Sequence, residues 1–87
     1  MAGDIYAPNQ QWVDAYALSG ITVGKALVIQ NKATTPVLVL ESAAQPASTS
    51  AAGFELGARE AVEVSVDSVG VWVRSVLGPA RLFVQEA

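Results

Sequence analysis

The sequence predicts an all-β domain: a small antiparallel β-sandwich or barrel of about seven short strands. Three observations predict it. Apolar residues alternate, or run in short stretches, and almost nowhere recur at helical spacing. Valine, whose branched Cβ suits a pleated strand, supplies 13 of the 87 residues. Clusters of Gly, Pro, Ser, Asn and Asp separate the stretches at near-regular intervals.

The elements follow in order. Residues 1–11, with Gly3, Pro8 and a glutamine pair, are expected to be an N-terminal arm with little order of its own. "QWVDAYAL" (11–18) alternates and predicts a strand, with Trp12, Asp14, Tyr16 and Leu18 on one side. "SGITVG" (19–24) predicts a turn region, with a short strand possible at 21–23. "KALVIQN" (25–31) and "PVLVLES" (36–42) predict two strands joined through "KATT" as a hairpin, with Pro36 at the strand start where its missing N–H does least harm. "SAAQPASTSAAG" (42–53) has small residues, no charge and no apolar anchor, so a flexible loop is expected. A short strand "FEL" (54–56) and a turn precede "AVEVSV" (61–66), whose valines point inward. "VGVWVRSV" (69–76) and "ARLFVQE" (80–86) complete the set. Residues 12–87 are thus expected to form one β-domain.

Composition narrows the function. Charged residues are only 15% of the chain and the hydrophobic share is 52%, against about 25% charged for an average soluble domain. A chain of this size buries roughly 60–65% of its unfolded surface, so its core is thin. Cysteine and histidine are absent, which removes disulfides, the usual zinc ligands and any histidine-activated nucleophile. The five cations, Lys25, Lys32, Arg59, Arg74 and Arg81, are scattered singly on a chain of net charge −3, so no nucleic acid is expected as partner. No apolar run is long enough for a membrane helix, and the opening residues lack the pattern of a secretory signal; synthesis in a cytoplasm is expected, and no membrane partner.

Motifs for chemistry are weak. "GITVGKA" (20–26) has three residues between its glycines and Ala after Lys, where a phosphate loop needs four and Ser or Thr. Glu55, Glu60 and Glu63 suit a solvated turn better than a paired-carboxylate cleft. Asp67 with Ser68 is a poor calcium ligand set. No enzyme activity, no cofactor and no metal are expected.

The informative feature is that several strands carry apolar groups on both faces. In 69–76, Val71 and Val73 oppose Trp72 and Val76; in 36–42, Leu38 and Leu40 oppose Val37 and Val39; in 80–86, Phe83 opposes Leu82 and Val84. An antiparallel sheet usually keeps one face in water. Cover by another protein or another copy is therefore expected, with Trp72 and Arg74 as the first interface candidates and Trp12 and Tyr16 as the second, because Trp, Tyr and Arg are enriched at the energetic centres of interfaces. The competing explanation is a core tryptophan with the arm folded over one face.

By "WVDAYALSGITVGKALVIQNK" (12–32) and "AVEVSVDSVGVWVRS" (61–75), the chain resembles small accessory virion proteins of tailed bacteriophages. The resemblance covers roughly residues 11–85. It implies a β-sandwich or barrel subunit in the virion that decorates or cements the capsid through contacts with other capsid or tail proteins, or with copies of itself. A tail- or connector-associated adaptor is equally compatible with it. A carbohydrate- or receptor-binding module, using Trp12, Tyr16 and Asp14 with Gln10 and Gln11, is the alternative of a different class.

Overall fold

The computed structural model describes residues 2–87 as two stacked four-stranded antiparallel sheets and one short helix. The strands are β1 (Ala2–Ala7), β2 (Val13–Asp14), β3 (Leu27–Asn31), β4 (Val37–Glu41), β5 (Phe54–Leu56), β6 (Ala61–Val64), β7 (Val71–Ser75) and β8 (Ala80–Glu86); α1 is Ala15–Ser19. One sheet has the order β1-β8-β3-β6 and the other β2-β7-β4-β5. Neither closes on itself, so the fold is a sandwich and not a barrel.

The core lies between the sheets. Ile5, Leu27, Ile29, Leu82 and Val84 face Val37, Val39, Leu56, Val71 and Val73, and all are buried. The total accessible surface is 4642 Å², close to the roughly 4,900 Å² expected of a folded 9 kDa chain. On β3 and β8 the residues alternate between buried and more exposed positions. The outer face of the β1-β8-β3-β6 sheet is correspondingly mixed: Asp4, Tyr6, Arg81, Gln85, Gln30 and Glu63 surround the half-buried Phe83 and Val28. That face meets water.

Three expectations are corrected. The arm 1–11 contains β1, a six-residue strand in full register with β8 from Ala2↔Gln85 to Ala7↔Ala80; residue 1 lies outside the described residues. The strand exists because its Ile5 and Ala7 complete the core and β8 supplies the hydrogen bonds, neither of which a window of eleven residues can reveal. The strand expected over 11–18 is cut to two residues and becomes α1. Asp14 caps it, its carboxylate accepting from the N–H groups of Tyr16 and Ala17. Gly20, at φ 77°, ends it in the left-handed conformation and donates to the Tyr16 carbonyl. Asp14 and Gly20 are capping signals that outweigh the weak alternation between them.

The third correction concerns the expected hairpin of 25–31 with 36–42. β3 pairs with β6 and β8, while β4 pairs with β5 and β7, so the chain crosses from one sheet to the other between them. Asn31 makes this corner. Fully buried, its Nδ2 donates to the carbonyls of Thr35 (2.8 Å), Leu56 (3.1 Å) and Gly57 (3.2 Å), and its Oδ1 accepts from the Ala33 N–H (2.8 Å). One amide thus shapes the turn and ties β3 to the end of β5 in the opposite sheet.

The strands run between two ends of the molecule. At one, residues 20–26, 41–42 and 65–70 gather; Asp67 N–H donates to the Gly24 carbonyl and Ser42 N–H to that of Gly70. At the other, residues 8–10, 32–36, 57–60 and 76–79 gather, joined by bonds such as Thr35 Oγ1 to the Leu77 carbonyl and Gly78 N–H to Asn9 Oδ1.

Asn31→Ala removes the acceptor of the Ala33 N–H and the amide donors to the Thr35, Leu56 and Gly57 carbonyls, of which Gly57 keeps the Glu60 N–H, so a loss of about 3 kcal/mol is expected. Urea denaturation of the variant checks this; a loss below about 1 kcal/mol would show that the corner holds without the amide.

Candidate functional site

The outer face of the β2-β7-β4-β5 sheet is where the sequence placed its first interface candidates. Register puts Trp72 opposite Leu40 and Asp14, and Arg74 opposite Leu38, so these side chains share that face. It is not open. Residues 42–52 cross it as an irregular strap, and the donors of the face reach into the strap's carbonyls. Trp72 Nε1 donates to Ser42 O (3.0 Å), Trp12 Nε1 to Ser50 O (3.1 Å), and Arg74 Nη1 to the carbonyls of both Ser48 and Ser50. In return Gln45 Nε2 donates to the Trp12 carbonyl (3.0 Å).

Two glycines let the strap lie this close. A Cβ on Gly70 would run into the Ser42 carbonyl oxygen, and one on Gly53, at φ 122°, would sit 2.9 Å from the Val39 carbonyl oxygen. The strap therefore begins against a glycine immediately before β7 and ends in a glycine of its own, and at both points the missing Cβ permits the close approach. Leu38 is 8% exposed although it lies on the outer face, which measures how well the cover works.

The four candidates are thus placed as follows. Trp72 and Arg74 are half-buried under the strap. Trp12, expected at an interface, is 3% exposed and sits beneath the strap's Ser50. Tyr16, also expected there, is 1% exposed; α1 turns it into the core, where its hydroxyl donates to the Lys25 carbonyl (2.7 Å). Trp12, Trp72 and Arg74 come together and Tyr16 does not join them. A cleft of about 210 Å³ opens beside the strap between Gln11, Trp12, Gln45, Pro46 and Ser48, but the buried indole offers it no broad aromatic surface.

The surface that is open lies in the turns and at the sheet margins. Tyr6, Leu18, Val23, Phe54, Val66, Val69, Val76 and Leu77 are all exposed. Val23, Val66 and Val69 belong to one end of the sandwich; Val76 and Leu77 belong to the other, with Tyr6 on the strand that leads into it. At this second end a shallow groove of about 590 Å³ is lined by Tyr6, residues 32–35, Leu77 and residues 79–81. Lys32 lies in it, 3.2 Å from Asp4, and so does Arg81. Sequence reasoning passed over these positions because it looked for apolar faces of strands; the signal was single large apolar residues inside turns, as in "DSVG" and "VLGP".

Comparison of the chain with protein-family models, with curated proteins and with solved structures finds no match. The site rests on its own geometry.

Gly70→Val should lift the strap from its starting point. The expected result is a loss of about 2 kcal/mol in chemical denaturation and a red-shifted tryptophan emission as the indoles meet water. Trp72→Phe, which removes one donor and keeps the ring, should cost only about 1 kcal/mol. Equal effects from the two would mean that the strap does not depend on its close approach to Gly70.

Proposed function

We propose that the chain is a structural assembly subunit of a tailed-bacteriophage virion, an accessory protein that decorates or cements the capsid through protein–protein contacts. The single observation that supports this most is the set of eight exposed large apolar side chains among the described residues of a domain whose surface has few charges to spare. Exposed apolar side chains grouped at an end of the molecule are the kind of surface that protein contacts cover. The resemblance over residues 12–32 and 61–75 supports the virion setting.

Energetically, each joint gains by removing such side chains from water at about 25 cal/mol per Å². Association costs several kcal/mol for lost translation and rotation, so one small contact is weak. Repetition of the same joint over a lattice multiplies weak contacts into stable attachment. In this reading the protein performs no reaction. A role at the tail or connector uses the same contacts with a different neighbour. The sugar-binding alternative loses support from the burial of Trp12 and Tyr16, since a sugar needs an accessible ring to stack on.

The test is to mix the purified chain with phage heads and tails stripped of accessory subunits, and to count bound copies after sedimentation. Saturable binding to heads, in a fixed ratio to the major capsid subunit, is expected. Binding to tails alone moves the role to the tail. A chain that ignores every particle and stays monomeric up to millimolar concentration removes the proposal.

A further inference from the structure

The two ends of the sandwich differ in charge as well as in shape. The grooved end holds three of the five cations, Lys32, Arg59 and Arg81, against two acids, Glu60 in its turns and Asp4, which is paired with Lys32 at 3.2 Å. Glu60 is engaged locally, its Oε1 accepting from the Gly57 N–H. The opposite end holds Glu41 and Asp67 together with Glu86, against Lys25. There the turn after β6 carries Val66, Asp67 and Val69, with Val23 on the segment hydrogen-bonded beside it. One end is thus a cationic groove with the apolar walls Tyr6 and Leu77; the other is an acidic knob with apolar flanks.

We infer that a second copy of this chain is the occupant of the groove: the Val66–Val69 turn of one molecule docks against Tyr6 and Leu77 of the next, with Asp67 directed to Arg81. The inference deepens the assembly reading and rests on it for the premise that the apolar ends are contacts. The joint is head-to-tail, because the surfaces that meet are different. A heterologous contact of this kind closes into a ring when its rotation permits and otherwise extends as a filament. It is also small. The molecule measures 29 × 25 × 18 Å, and one end of it cannot supply the ~800 Å² per partner of a standard interface. Association is therefore weak at each joint and rises steeply with concentration. The charge component makes it sensitive to salt, since 1 M salt reduces the screening length to ~3 Å.

The side chains at the centre of each end are largely free of the core, Val66 at 64% and Leu77 at 68% exposure, so substitution there leaves the fold intact, which circular dichroism verifies. Sedimentation velocity of the wild-type chain should show masses that are multiples of 9.0 kDa, falling towards the monomer in 1 M NaCl. Val66→Lys, which sets a like charge against Arg81, and Leu77→Ser, which removes an apolar wall of the groove, should each remain monomeric. An equimolar mixture of the two variants should form a dimer and stop there, because each supplies the intact end the other lacks, while the lysine on the altered knob is still repelled by Arg81 in the altered groove. A ring or a filament from the wild type, with the dimer from the mixture, upholds the inference. Association of either variant like the wild type, or monomers only in the mixture, overturns it. A wild-type monomer that still binds stripped heads overturns this inference and leaves the assembly reading standing; failure of both sinks both.

Discussion

The contact on which this architecture depends is the one between the outer face of the β2-β7-β4-β5 sheet and the carbonyl groups of residues 42–50. Two indole N–H groups and a guanidinium lie on that face and need acceptors, since an unpaired buried donor costs about 1–3 kcal/mol. The strap above them has no large apolar side chain with which to anchor itself. Each half lacks what the other provides. The sheet offers donors and flat apolar area; the strap offers Ser42, Ser48 and Ser50 carbonyls. The thinness of the strap follows from its composition. Alanine and serine let the backbone lie close to the rings, where larger residues would hold it away.

This arrangement answers why both faces of β7 are apolar. One faces the core and the other faces a third layer made from the same chain. The two sheets solve the same problem differently. The β1-β8-β3-β6 sheet leaves its outer face to water and fills it with Asp4, Gln30, Glu63, Arg81 and Gln85; the other is roofed. Of the apolar surface that remains after both solutions, Val23, Val66, Val69, Val76 and Leu77 lie in the turns at the two ends, and Tyr6, Leu18 and Phe54 lie on β1, α1 and β5.

Much of this was legible in the sequence. β5 and β8 fall at 54–56 and 80–86 as the pattern indicates, and β3, β4, β6 and β7 lie inside the stretches that alternation marks. These signals are local: branched residues in short runs bounded by turn formers. What was not legible is non-local. β1 is a strand because β8 pairs with it from the far end of the chain. β3 and β4 part company because the Asn31 side chain finds carbonyls at 56 and 57, and nothing in "NKATT" announces those partners. α1 was legible in principle from Asp14 and Gly20. At the candidate site, Trp72 and Arg74 were rightly grouped on one face, but their cover was sought in another molecule. The strap looked free because the donors that hold it lie at positions 12, 72 and 74, some thirty residues away on either side.

The strand order of the first sheet also governs when the chain can fold during its synthesis. β8 is central in that sheet, between β1 and β3, yet it occupies residues 80–86. Until those residues have been made, β1 has no neighbour within its sheet and β3 has only β6. A nascent chain therefore carries most of its valines unsheltered while translation proceeds at about 5–20 residues per second, and these distant pairings close slowly. Loss of residues 80–86 would leave β1 without its neighbour and one edge of β3 unpaired, so no smaller version of this sheet is available to a shorter chain.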